Sequence, residues 1–128
     1  MRLLVDSHAL IWYFGQVDRL SQAAEKLLTD PVNDLLLSVA SYWEIAIKVG
    51  LGKLNITLPF DDYINRMISD LRLATLPIQI PHASALTTLP QHHRDPFDRM
   101  LVAQSLVENI PIVSADSAFD AYGITRLW

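Results

Sequence analysis

The sequence predicts an α/β fold in which a parallel β-sheet carries helices on both faces. Short apolar runs bounded by cap or turn residues alternate with longer segments whose apolar residues fall at helical spacing, an alternation that leads to a parallel sheet joined by crossover helices. Two carboxylates also follow apolar runs: Asp6 comes directly after Leu3-Leu4-Val5, and Asp116 follows Ile110–Ser114 by one residue. In open α/β sheets the carboxyl ends of the strands are where functional groups gather.

Arg2–Val5 is short, apolar and bounded by Asp-Ser, which predicts a buried strand leading into a helix over Ser7–Phe14. Ser21–Asp30 has helical spacing and stops at Asp30-Pro31, because a residue before proline is disfavoured in the helical region. Asn33–Ser38 is the second strand. Val39–Val49 is a helix ended by Gly50 and Gly52, where a left-handed cap needs glycine. Pro59–Leu71 opens with proline and carries Asp61 and Asp62 in its first turn, both helix-start features. Ala74–Ile80 is predicted as a short strand flanked by Pro77 and Pro81, His82–Leu89 as a short helix and Pro90–Arg94 as a polar loop. Asp95–Asn109 is a helix, followed by strands over Pro111–Ser114 and near Ile124–Trp128. The pattern contains no repeat, linker or low-complexity tract, so residues 1–128 are expected to form one domain.

With no cysteine, disulfide frameworks, thiolate metal sites and cysteine nucleophiles are excluded. Only three apolar residues separate Arg2 from Asp6, so the N-terminus suits neither a signal peptide nor a membrane span; the expectation is a soluble, cytoplasmic protein with no membrane partner. The formal net charge of −4 argues mildly against a nucleic-acid binder, yet a small site needs only a local basic patch. A hydrophobic content of 51% is high for a chain this size and points to an oligomer or an obligate partner. The apolar residues around Trp12, Tyr13 and Phe14, and in Phe60–Leu71, are expected to serve such an interface.

Two further acids, Glu44 and Asp98, lie within mostly apolar segments, Val39–Val49 and Phe97–Val107. Ionised carboxylates are rarely buried alone, since losing water costs several kcal/mol or more unless hydrogen bonds or a cation offset it. If the fold brings Asp6, Glu44, Asp98 and Asp116 together, a divalent metal is the simplest compensation. Each residue also has an ordinary structural role open to it. Asp6 and Asp116 suit helix N-caps, Glu44 suits a surface pair with Lys48 one turn on, and Asp95-Pro96-Phe97-Asp98 is a helix-start signature. Asp98 is the better metal candidate of that last pair, and Asp95 a cap first. Histidine is less informative, since His8 stands alone after Asp6 and His92 and His93 are adjacent in a loop. Oxygen-only ligands favour Mg²⁺ or Mn²⁺ over zinc. No Gly-rich phosphate loop or G-x-S-x-G elbow is present.

In order, Leu-Leu-Val-Asp6-Ser-His, the Trp-Glu44-Ile-Ala-Ile-Lys48 segment with its following glycines, His93-Arg-Asp95-Pro-Phe-Asp98-Arg-Met-Leu-Val-Ala-Gln104, and Pro-Ile-Val-Ser114-Ala-Asp116 resemble the PIN-domain family. More narrowly they resemble the VapC-type ribonuclease toxins of bacterial toxin–antitoxin pairs. The resemblance runs from Leu3 to Phe119, and the four acids come in the family's order. It implies a three-layer α/β/α sandwich with a central parallel sheet, in which Asp6, Glu44, Asp98 and Asp116 bind one or two Mg²⁺ or Mn²⁺ ions. Ser114 would support those acids, Asp95 belongs to a variant of the motif, and Arg94, Arg99 and Lys48 are candidate phosphate contacts. The same resemblance implies an RNA substrate, a homodimer and a cognate antitoxin whose tail enters the acidic site.

Two rivals stand beside this reading. A Mg²⁺-dependent phosphatase or phospho-acceptor also places acids at strand ends, but it needs a lysine late in the chain, and none follows Lys53. A non-catalytic PIN-like binding module would have lost one of the acids, and none of the four is replaced.

Overall fold

The computed structural model describes all 128 residues. Five strands, β1 (Arg2–Val5), β2 (Asp34–Ser38), β3 (Ala74–Leu76), β4 (Ile112–Val113) and β5 (Arg126–Leu127), form one sheet in the order β3-β2-β1-β4-β5. Every neighbouring pair is parallel, as the alternating pattern predicts. The chain builds outward from β1 through β2 to β3, then returns to place β4 on the other side of β1. The strand order therefore reverses between β1 and β4, and a crevice opens there beyond the strands' carboxyl ends.

Six helices cover the sheet: α1 (Ser7–Gly15), α2 (Gln22–Thr29), α3 (Val39–Gly50), α4 (Phe60–Leu71), α5 (Ile80–Leu86) and α6 (Pro96–Glu108). Alternate residues of each central strand enter different cores. Leu3, Val5, Leu35, Leu37 and Val113 pack with Leu10, Ala24, Ile45, Ile64 and Met67 of α1 to α4. Leu4, Leu36 and Ile112 pack with Leu101 and Val102 of α6, Leu89 and Phe119. A strand buried on both faces reads as an unbroken apolar run, which is why β1 and β2 lack polar alternation. The fully buried His82 ties the second layer together, its Nε2 lying 3.1 Å from Glu108 of α6.

Helix ends follow from local chemistry. The Ser21 side chain caps α2 by accepting the Ala24 N–H at 2.9 Å. Gly50 is the last residue of α3 rather than its cap. Gly52, at φ 72°, takes the left-handed position, while the Lys53 and Gly52 N–H groups donate to the Lys48 and Val49 carbonyls. Asn109, at φ 53°, ends α6 in the same way.

Three expectations need correction. The strand predicted over Ala74–Ile80 stops at Leu76, because Pro77 has no N–H to continue the ladder. Pro81 lies inside the first turn of α5, where a missing N–H is harmless, so that helix spans Ile80–Leu86 rather than His82–Leu89. Ser117–Tyr122 forms a 3-10 helix that apolar spacing does not predict, and the last strand shrinks to Arg126–Leu127. Trp12, Tyr13, Phe14, Phe60 and Tyr63 are half-buried, each with one side packed against the first core. The apolar stripe left in solvent is on α3: Val39, Trp43, Ile47 and, just past its end, Leu51, with Trp43 63% and Leu51 65% exposed. No helix is long and apolar enough to cross a membrane.

A Cβ at Gly52 would meet nothing within 4 Å, so substitution there is opposed by backbone conformation alone. Gly52→Ala is expected to destabilise the protein by about 1 kcal/mol, seen as a lower urea midpoint at unchanged slope. An unchanged midpoint would mean that this left-handed cap contributes nothing to holding α3.

Candidate active site

The crevice at the end of β1 and β4 is lined by side chains from four elements. Asp6 is the first residue after β1, and its backbone N–H donates to Val113 of β4 at 3.1 Å. It occupies the position before α1, yet its carboxylate makes no cap hydrogen bond to that helix. The buried side chain instead accepts from Ser114 Oγ at 2.8 Å and from Ser7 Oγ at 3.5 Å. Of the two roles open to Asp6, capping is the one the structure does not use.

Glu44 is buried near the middle of α3, and one of its carboxylate oxygens accepts from Ser7 Oγ. Its other oxygen lies 3.9 Å from Lys48 Nζ, so the helical pair and the place in the site coexist. Asp95 caps α6, its Oδ1 accepting from the Phe97 and Asp98 N–H groups at 2.8 and 3.1 Å. That leaves Asp98, in the first turn of α6, aimed at the crevice. Asp116 divides its oxygens: Oδ1 accepts the Ala118 N–H at 2.9 Å as a cap, and Oδ2 faces the site. The Ser114 hydroxyl links two of these acids, donating to Asp6 while accepting the Asp116 N–H at 3.1 Å.

His93, which carries no signal in the sequence pattern, sits among the acids. Its Nε2 lies 3.0 Å from Asp98 Oδ2 and 3.3 Å from Asp116 Oδ2. The Asp95 N–H donates to His93 Nδ1 at 3.2 Å, which makes Nδ1 the acceptor and leaves Nε2 to carry the proton toward the carboxylates. Tyr122, from the 3-10 helix, fixes the loop by accepting the His93 N–H at 2.7 Å. Ser7 is a second residue that the sequence pattern misses; its only signal is its place beside Asp6. Arg99 donates to the Leu89 and Pro90 carbonyls at 3.3 and 2.8 Å, which engages it in holding the same loop. Arg94 is exposed at the loop's end.

Two trios present ligand atoms within 4.8 Å of one another: Glu44, Asp95 and Asp98, and His93, Asp98 and Asp116. Asp98 belongs to both. Burial, followed by repulsion from Asp6, Asp95, Glu44 and Asp116, pushes the Asp98 carboxyl up to about 8. Burial also raises Asp6, with the Ser114 hydrogen bond opposing it.

The raised Asp98 pKa has a definite sign in stability. The folded protein keeps this proton while the unfolded chain loses it above about 4, so the associated stability is complete below that pH and is lost as pH rises toward 8. Without divalent metal, the melting temperature is therefore expected to fall between pH 5 and pH 8, and Asp98→Asn to flatten much of that slope. A slope identical in wild type and variant would place the strain elsewhere.

Residues 3–124 match the model of the family described as PIN domain. The ribonuclease VapC22 of Mycobacterium tuberculosis is 24% identical over 115 residues, which span 89% of this chain and 86% of that protein. The structure of VapBC2 from Rickettsia felis, bound to a DNA fragment from its promoter, superposes with a TM-score of 0.73 at 12% identity, over 98% of this chain and 97% of that one. VapBC-1 from nontypeable Haemophilus influenzae gives 0.70 at 14% identity, over 98% and 96%. At such identities the structural matches speak for the fold alone.

Proposed function

The chain belongs to the PIN domain family and is distantly related to the VapC ribonuclease toxins; on that footing we propose that it is a divalent-metal-dependent endoribonuclease, the toxin of a toxin–antitoxin pair. The observation that carries this reading is the convergence of Asp6, Glu44, Asp98 and Asp116 at the sheet's switch point, where burial and mutual repulsion drive Asp98 to about 8. The donor set fits a hard cation: clustered carboxylate oxygens suit Mg²⁺ or Mn²⁺.

Asp6, Glu44, Asp98 and Asp116 would hold the ion. When bound, a divalent cation supplies polarisation of a phosphodiester oxygen and a water acidic enough to attack phosphorus. The protein's own groups set the geometry. Ser114 and Ser7 orient the Asp6 and Glu44 carboxylates from behind. Asp95, engaged in capping α6, aims Asp98 into the crevice. Lys48, beside Glu44, and the exposed Arg94 offer positive charge to a phosphate, stabilising charge that develops during hydrolysis. His93 keeps Asp116 turned inward. Cleavage of single-stranded RNA to leave a 5′-phosphate is the reaction this arrangement serves.

Two partners complete the reading. A cognate antitoxin would offer Arg or Lys to the unneutralised carboxylates, in keeping with the VapBC assemblies whose fold this chain shares. A second copy would cover the α3 stripe, whose Trp43 is stacked edge-on against Phe97 at 5.2 Å. Covering such an apolar stripe removes it from water.

Purified protein is expected to cut RNA with Mg²⁺ or Mn²⁺ and not with EDTA, and folded Asp6→Asn and Asp98→Asn variants to lose at least about a hundredfold in rate. A folded Asp98→Asn variant that cuts as fast as wild type would sink the assignment. Trp43→Asp is expected to shift the sedimenting species from dimer to monomer; a variant that stays dimeric puts the interface elsewhere.

A further inference from the structure

Beside the carboxylates lies a groove of about 760 Å³ between α1, the loop Lys53–Leu58 and α4. Its walls include Arg19, Lys48, Lys53 and Arg66, four of the ten Lys and Arg residues in the chain, against a single acid, Asp70. In a protein of formal net charge −4, that segregation is a local reversal of sign. The one ion pair within it, Arg66 with Asp70 at 3.8 Å, joins two exposed side chains and neutralises little.

The groove is continuous with the acidic crevice. Lys48 Nζ lies 3.9 Å from Glu44 on one side and 3.0 Å from His8 Nε2 on the other. The His8 ring is tilted against Trp12 with centroids 6.0 Å apart, and the Arg19 guanidinium lies 4.4 Å over the Trp12 ring. Acid cluster, lysine, histidine, tryptophan and arginine thus form one connected path from the site into the groove.

We infer that this groove carries the single-stranded RNA entering the carboxylate site, with a base stacked at the Arg19–Trp12 pair and phosphates met by Lys53 and Arg66. The inference rests on the nuclease reading. Its physical content is the combination that single strands require, a positive channel tracking the backbone and a planar guanidinium, seated on Trp12, on which any base can stack. Four cations against one acid favour a polyanion over a protein tail that brings Arg or Lys to the carboxylates, since such a tail would meet like charge along the groove.

The test compares the Lys53→Glu/Arg66→Glu double variant and Arg19→Ala with their parents. Binding of a labelled single-stranded RNA is measured by anisotropy with Mg²⁺, in the Asp98→Asn background so that nothing is cut. Hydrolysis of bis(4-nitrophenyl) phosphate, too small to span the groove, is measured in the otherwise wild-type chain. The double variant is expected to bind RNA at least about tenfold more weakly, with the salt slope reduced by about 0.7 for each phosphate no longer neutralised. Arg19→Ala is expected to weaken binding about fivefold or more. Hydrolysis of the small diester should stay at the parental rate in both, which also shows that they fold. RNA affinity and salt slope equal to the parent's, or no measurable binding by the parent, would overturn the groove assignment, and metal-dependent RNA cleavage by the double variant would then leave the nuclease reading intact. Equal RNA binding with lost affinity for the antitoxin would give the groove to a protein instead. Weakened RNA binding by the variants, with no cleavage of RNA or diester by wild type, would uphold the groove and remove the nuclease.

Discussion

Several carboxylates confined at the carboxyl ends of two adjacent strands form the constraint around which this fold is arranged. Like charges in a poorly solvated crevice repel one another, and the protein answers by protonation, as the raised Asp98 shows. It answers also with fixed hydroxyl donors: Ser114 to Asp6, and Ser7 to Glu44. Neither response neutralises the cluster. A folded chain that keeps an unrelieved repulsion at its switch point gives up stability there, and strain of this kind collects where a ligand resolves it.

The rest of the architecture serves to hold those acids in register. Leu3 and Val5 on one side and Leu4 on the other anchor β1 in two cores at once, so Asp6 emerges from the central strand of the sheet. The Asp6 N–H bond to Val113 sets the relative height of β1 and β4, and thereby of Asp6 and Ser114. The Asp95 cap orients the first turn of α6, while Arg99 and Tyr122 hold the loop that brings His93 between Asp98 and Asp116. Placing the acids on a strand end, at helix starts and within α3, rather than on free loops, gives the precision that charge stabilisation demands.

Much of this is legible in the residues because burial on both faces leaves apolar runs and turn residues punctuate them. β1, α1, α2, β2, α3, α4 and α6 fall close to where periodicity and capping put them. What periodicity misses is short-range and proline-dependent: β3 ends at Pro77 although the apolar run goes on, and the 3-10 helix Ser117–Tyr122 is too short for apolar spacing to register. At the site, the four acids are legible as misplaced charges. Whether Asp6 caps a helix cannot be read locally, since the decision belongs to Ser114, 108 residues away. His93 is illegible for the same reason. Its place among the acids depends on Tyr122, 29 residues on, and adjacent loop histidines carry no spacing signal.

The most direct test of the central claim, that the acid cluster is a cation site, is calorimetric titration of the metal-free protein with Mn²⁺ at pH 7, repeated in buffers of different ionisation enthalpy and with Asp98→Asn. Because Asp98 holds its proton to about 8, binding should release close to one proton, and the variant should lose both affinity and that release. Absence of binding by folded protein, or binding of equal strength and without proton release in wild type and variant, would contradict the account.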